Sequence, residues 1–488
     1  MGGLFDGVFG GGTALRWATS LPSSGVARWV AARREGLILA ALGVFALGVT
    51  LYLGVPGYMG PDARTQLEQA RAFEFWDDHP VLMALLWHYL DLLAPGPLGM
   101  FVFTSTLYWA GLTALFLVLP GPIGWRALGL LLVGFFPPGF STLPIVLKDG
   151  IMHGALLLAV AFLVPLSRRG LAIRLAASAA FLLLAIGVRH NAAAAVWPFL
   201  ALPSLRLPIL VRLRPWLRLV VSSAGGLALA FAMAWGVDRA LAPLSHRSHL
   251  WQMIATYDLT GMSLRTGEVL VDPGSAVFTQ GMGLTEMQQL FHIDYGQTLY
   301  GCVPFAGRRC VRLFQHTLDP SELKRLSRNW LAAIAQHPGA YLAHRWALTR
   351  EMLTVNASWK ELYYLPGAPH GPLAAQYPPT ERLLWLLSFM ERHIRFVAYS
   401  PWVYVVLSLL LLPVTLYRYL RGAAPLPLLF VLSGSAYMLS NLVGASSITY
   451  RYCVWTILCT VLALFALAGD LRRDRLERSS GRREQPLQ

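Results

Sequence analysis

Apolar residues run along this chain in long unbroken blocks, separated by short polar or basic stretches. A block of about 17 to 25 residues can cross a hydrocarbon core of roughly 30 Å as a helix, the form that satisfies its own backbone polar groups. The pattern predicts spans over 37–55, 98–119, 127–136, 150–165, 172–188, 192–202, 219–237, 402–417, 426–443 and 453–468. A closed barrel would instead show short alternating segments, and none are evident. Two further segments read as surface helices. One covers 65–75, with Leu67, Ala70 and Phe73 on one side, and the other covers 81–93, introduced by Pro80. Pro137-Pro138 remove two backbone donors and end the span before them. The chain from there to Asp149 is therefore expected to be irregular, packed in protein or facing water. Residues 238–396 form the one substantial water-facing block, with helical segments near 285–291, 321–336 and 339–352.

Composition agrees: the chain is 56% hydrophobic and 13% charged with a mean hydropathy of +0.52, which excludes a soluble domain of this length. A net charge of +15 in a soluble protein would suggest nucleic acid. Here the arginines fall in short loops between apolar blocks, among them Arg126, Arg168, Arg169, Arg206, Arg212, Arg214, Arg218, Arg418 and Arg421. That is positive-inside signalling, so no nucleic-acid partner is expected and these loops are placed in the cytoplasm. The layout becomes a cytoplasmic tail (1–36), a transmembrane domain (37–237) with an outer first loop (56–97), an outer domain (238–396), C-terminal transmembrane helices (397–470) and a basic cytoplasmic tail (471–488). The first 34 residues lack the basic, apolar and small-residue pattern of a cleavable signal. Cys453 and Cys459 read as buried small hydrophobes, whereas Cys302 and Cys310 could be bridged if their loop meets an oxidising compartment. The sequon Asn356-Ala357-Ser358 is read as chance.

On this topology Asp62, Asp77, Asp78, His79, Lys148, Asp149, Arg189, His190, Asn191 and Arg451 all reach the outer ends of spans. Polar groups crowded against a bilayer are costly and are usually kept for function. A carboxylate can take a proton from an attacking hydroxyl, and lysine and arginine can hold a lipid-linked phosphate as its charge grows. Bland alternatives stand beside these roles. Asp62 and Asp78 suit helix caps, Lys148 and Asp149 could pair with each other, and Arg189 and Arg451 could be snorkelling anchors. There is no Gly-rich phosphate loop, Walker pattern or dinucleotide fingerprint.

The run Gly60-Pro61-Asp62, Gln66, Gln69, Asp77-Asp78-His79-Pro80 and Leu86-Trp87-His88 resembles the first outer loop of bacterial membrane glycosyltransferases of the GT-C superfamily. It is similar in particular to a branch with an Asp-Trp-His-Pro segment there. Leu147-Lys148-Asp149-Gly150, Arg189-His190-Asn191-Ala192 with Trp197-Pro198, Tyr257-Asp258-Leu259 and Tyr450-Arg451-Tyr452 also resemble that branch, in the same order. The resemblance implies an all-α polytopic membrane protein, GT-C-like, with about ten transmembrane helices and a mainly helical periplasmic domain. It implies a polyprenyl-phosphate sugar donor, a cell-envelope glycan or lipid acceptor, and an active face on the periplasmic side of the bacterial inner membrane. A carboxylate of the first outer loop would be the catalytic base or would place the acceptor or a metal. Asp62 is the first choice, with Asp77, Asp78 and His79 beside it, and Gln66, Asp149, His190 and Asn191 in support. Lys148, Arg189 and Arg451 would bind the donor phosphate. Asp78 stands where the branch has Trp, leaving the second carboxylate role to either Asp77 or Asp78. No cofactor is indicated, and a divalent metal stays open. The competing function is a transporter or flippase of lipid-linked sugars, which would hold charges nearer the bilayer midplane and show paired repeats.

Overall fold

Each predicted apolar block falls on a helix in the computed structural model, which describes residues 25–165, 170–353 and 380–479. Residues 1–24, Arg168 and Arg169, the Asn356-Ala357-Ser358 sequon and residues 480–488 lie outside them. In chain order the membrane part begins with α1 (Gly25–Gly54), α2 (Pro61–Ala72), the strand β1 (Phe75–Trp76), α3 (Val81–Leu93), α4 (Leu98–Val118) and α5 (Ile123–Gly134). It continues with α6 (Lys148–Leu163), α7 (Leu171–Val188), α8 (Ala192–Ser204) and α9 (Pro215–Leu241). Then come β2 (Ser245–His246), α10 (Trp251–Thr266), α11 (Leu284–Leu290), a hairpin of β3 (Cys302–Phe305) and β4 (Arg308–Arg312), α12 (Pro320–Gln336) and α13 (Pro338–Leu353). The chain closes with α14 (Glu381–Ala398), α15 (Pro401–Leu420), α16 (Leu426–Gly444) and α17 (Arg451–Ser479).

The protein is thus an all-α polytopic membrane protein: among the described residues, seven helices are long and apolar enough to cross a bilayer. These are α1, α4, α7, α9, α15, α16 and α17. Three more of the predicted spans are shorter, α5 with 12 residues, α6 with 16 and α8 with 13. Prolines account for much of this. Pro137-Pro138 stop α5, and α8 carries Pro198 and Pro203 inside it.

Close helix crossings depend on glycine. A Cβ on Gly154 would sit 2.6 Å from the backbone of Leu107, and one on Gly111 would sit 2.7 Å from the carbonyl of Gly154. Only bare backbones let α4 and α6 approach so tightly, the usual device for packing helices where lipid offers no hydrophobic drive. That crossing fixes where the first turn of α6 emerges. Deeper along α6, His153 stacks on Trp455 of α17 with ring centroids 5.6 Å apart, both side chains buried.

The first loop departs from expectation at its start. Helix α2 begins at Pro61 rather than at residue 65, because proline's fixed φ suits a first helical turn. It ends at Phe73, which takes a left-handed conformation (φ 52°). Phe75 and Trp76 then pair in parallel with Ser245 and His246, tying the first loop to the start of the outer block. Helix α10 was not foreseen from the sequence, and its composition explains why. Gln252, Thr256, Asp258, Thr260 and Ser263 are polar yet buried, so no apolar stripe advertises the helix. Cys302 and Cys310 are joined by a disulfide across the β3–β4 hairpin.

Candidate functional site

The segment before α2 is held against the irregular segment before α6. The Tyr58 amide donates to the Pro144 carbonyl at 2.8 Å, and the Val146 amide donates to the Tyr58 carbonyl at 2.8 Å. This short pairing brings the first turns of α2 and α6 to the same end of the bundle, where α17 also begins. Asp62 lies in the first turn of α2, Lys148 opens α6 and Arg451 opens α17. Three positive helix-dipole ends therefore gather around these side chains.

Asp62 is not a cap. Gly60 occupies the cap position and no side chain bonds there. The Asp62 carboxylate instead accepts from Arg451 Nη2 at 2.6 Å, across 389 positions of sequence. The pair is reachable from outside, with side-chain exposures of 30% for Asp62 and 14% for Arg451. Lys148 Nζ donates to His79 Nδ1 at 3.3 Å, and it has no ion pair among the described residues. Asp62, His79, Lys148 and Arg451, from four separate segments, thus form one cluster with a positive charge left uncompensated.

Electrostatics sharpen the roles. Burial alone would raise the Asp62 carboxyl, but the charges of Arg451 and Lys148 outweigh it and hold the group well below the usual carboxylate range. Burial, aided by the neighbouring Lys148 charge, lowers His79 to about 4. His79 is then neutral near pH 7, and with Nδ1 accepting from Lys148 its proton sits on Nε2. Gln66, buried, donates from Nε2 to the backbone carbonyl of Asp62 at 3.2 Å.

Lys148 and Asp149 do not pair with each other, since consecutive helical residues point about 100° apart. Asp149 turns inward to Arg189 Nη1 at 2.5 Å, where side-chain exposures are 1% and 6%. Arg189 Nε donates to Asn191 Oδ1 (2.9 Å), and Asn191 Nδ2 donates to Asn441 Oδ1 (2.7 Å). The Arg189 and Arg451 guanidinium carbons lie 5.0 and 5.5 Å from the Tyr452 ring centroid. Arg189, expected to hold a phosphate, is therefore engaged with Asp149 and supports the cluster from behind.

The remaining expected residues sit apart from Asp62. Asp77 Oδ1 accepts from the Ser248 amide (2.5 Å) and hydroxyl (2.6 Å), latching the first loop to the outer block. Asp78 Oδ1 accepts from Gln69 Nε2 (3.1 Å) and the His79 amide (2.9 Å), which shapes the turn that presents His79. His190 is exposed. Sequence reasoning missed Asn441, Ser248 and Tyr437, whose ring centroid lies 5.7 Å from the Arg189 guanidinium carbon. Asn441 did carry a signal, as an amide inside the apolar run of α16, while Ser248 carried none.

Among the described residues, no group of three or more histidine, cysteine, aspartate or glutamate side chains could hold a metal. The donors around Asp62 are two cations and an imidazole, a set that fits an anion rather than a divalent ion. Two cavities lie away from this cluster. One, at the far end of the bundle, is lined by Trp125, Arg126, Arg206, Phe465 and Asp470, and an open groove on the outer block is lined by Asp272, Lys324, Arg325 and Arg328. No family model, curated protein or solved structure matches the chain.

Proposed function

We propose that this chain is a GT-C-like membrane glycosyltransferase of the bacterial inner membrane, with the Asp62 cluster facing the periplasm. It would move a hexose or pentose from a polyprenyl-phosphate donor to a hydroxyl of a cell-envelope glycan or lipid. The observation that carries this reading is Lys148: a partly buried cation without an ion pair among the described residues, beside Arg451, where three helix N-termini converge. That arrangement attracts a phosphate-like anion at a bilayer boundary. On this reading the short α5, α6 and α8 join the seven long helices to make the expected ten crossings. The arginine-rich far end and the Cys302–Cys310 bridge both favour placing the outer block in an oxidising compartment.

In the reaction, the acceptor oxygen bonds to the anomeric carbon, the bond from that carbon to the phosphate oxygen breaks, and polyprenyl phosphate leaves with the bonding pair. The acceptor's proton passes to Asp62. Lys148 and Arg451 neutralise charge growing on the leaving phosphate, and neutral His79 can donate from Nε2. Before donor binds, Arg451 holds Asp62 ionised but weakly basic. A phosphate that draws Arg451 toward itself removes that counter-charge and makes Asp62 a better proton acceptor.

A second reading, a transporter of lipid-linked sugar, has one observation in its favour: α6 carries buried Asp149, paired with Arg189 at the end of α7, and buried His153. Purified protein in nanodiscs, supplied with polyprenyl-phosphate sugar and a hydroxyl acceptor, separates the two. Sugar transfer abolished by Asp62→Asn supports the enzyme. Movement of the lipid across the bilayer without bond formation, or transfer untouched by that change, removes it.

A further inference from the structure

Helix α16 ends at Gly444, and the seven residues to Arg451 carry the cation that meets Asp62. An unsupported loop would let that cation wander. The outer block grips it at three points. Arg345 Nη1 donates to the Ala445 carbonyl at 2.6 Å, at the carbonyl-rich C-terminus of α16 where a cation is favoured. The Gly296 amide donates to the Ser446 carbonyl at 2.8 Å, and the Ile448 amide donates to the Asp294 carbonyl at 2.8 Å. Tyr295 and Ser447 bridge as in an antiparallel pair of strands.

Behind this grip stands a fully buried anchor. Asp258, in the middle of α10, accepts from Arg345 Nη2 at 2.7 Å and from Trp330 Nε1 at 3.1 Å. Its other oxygen faces His344 Nε2 at 3.2 Å. Tyr257, next in sequence, donates its hydroxyl to the Ile293 carbonyl at 2.7 Å and so steadies the segment that holds Ser446 and Ile448. A buried ion pair is costly to break on one side only, so Asp258 and Arg345 hold each other in place.

We infer that Asp258, Arg345 and Tyr257 are positioning residues of the outer block that fix the 445–450 loop and thereby aim Arg451 at the donor phosphate. The outer block is then part of the donor site. This inference rests on the donor-phosphate reading above. Its physical content is a chain of contacts: α10 to α13 through Asp258 and Arg345, α13 to the end of α16 through Ala445, and that loop to Asp62 through Arg451.

The test uses the full chain in nanodiscs with polyprenyl-phosphate sugar. Arg345→Ala, which leaves every residue of the Asp62 cluster in place, is expected to speed amide hydrogen exchange across 445–452. It is also expected to raise the donor KM, because Arg451 no longer sits where the donor phosphate binds. The acceptor KM stays where it was. A merely structural role lowers the fraction of active protein, hence kcat, and leaves both KM values alone; that result, or unchanged exchange at 445–452, overturns the inference. If Arg345→Ala does not fold, Tyr257→Phe removes a single hydroxyl and is held to the same two readouts. Should the wild-type protein transfer no sugar, the glycosyltransferase reading fails, while the exchange comparison still decides whether the clamp exists.

Discussion

The two ends of the helix bundle use charge differently. At the end bearing the outer block, ion pairs join distant parts of the chain: Asp62 with Arg451, and Asp149 with Arg189. At the opposite end the arginines dominate, with Arg212 and Arg214 exposed. That end also carries acids. Glu35 pairs with Arg126, and Asp474 with Arg418 at 2.7 Å, where exposures are 34% and 19%. The contrast is one of desolvation. Pairs near water cost little to form and contribute little, whereas a pair as enclosed as Asp149–Arg189 is costly to break on one side only. Lys148 stands out at the first end because its ammonium is bonded to an imidazole and makes no ion pair among the described residues.

The sharpest break of this comparison is functional. Lys148→Met or Asp62→Asn is expected to cut sugar transfer by about 10²- to 10³-fold, the cost of losing one electrostatic stabiliser. Arg212→Ala, at the other end, is expected to leave the rate of transfer as it was. Assay of the three proteins side by side in nanodiscs checks this.

Next in size is stability. Arg189→Ala leaves Asp149 buried without its partner and should cost about 3–5 kcal/mol. Equilibrium denaturation in detergent reads it, and a neutral result would mean that water or a neighbouring group replaces the guanidinium.

A smaller effect is pH-dependent. His79 is lowered from 6.5 to about 4, so between those values the unfolded chain binds a proton that the folded chain refuses. Stability attributable to this group is present above pH 6.5 and falls as pH drops toward 4. His79→Gln should flatten that part of the stability-against-pH curve, and an unchanged slope would assign the dependence to other groups. The smallest effect belongs to Arg418→Ala, which should cost about 0–1 kcal/mol in the same denaturation experiment.

Much of the bundle was legible from hydropathy because long apolar runs have few alternatives in lipid; the span expected over 98–119, for example, is the helix Leu98–Val118. The outer block was harder to read. Helix α10 hides polar residues inside protein, where their partners come from α12 and α13, and no local pattern announces such pairing. Within the site, Asp62, His79, Lys148 and Arg451 were legible as polar residues at span ends, but their partners were not. Asp149 goes to Arg189 rather than to Lys148, and Asp77 goes to Ser248, since helix phase and long-range packing decide where a side chain points.

The central claim is that Lys148 and Arg451 receive a phosphate at the bilayer boundary. The most direct measurement compares binding of polyprenyl phosphate with that of the matching polyprenol to the full chain in nanodiscs, for the wild type and Lys148→Met. Binding that requires the phosphate and is lost in Lys148→Met is the predicted result. Equal binding of the two lipids, or phosphate-dependent binding that Lys148→Met leaves intact, would contradict it.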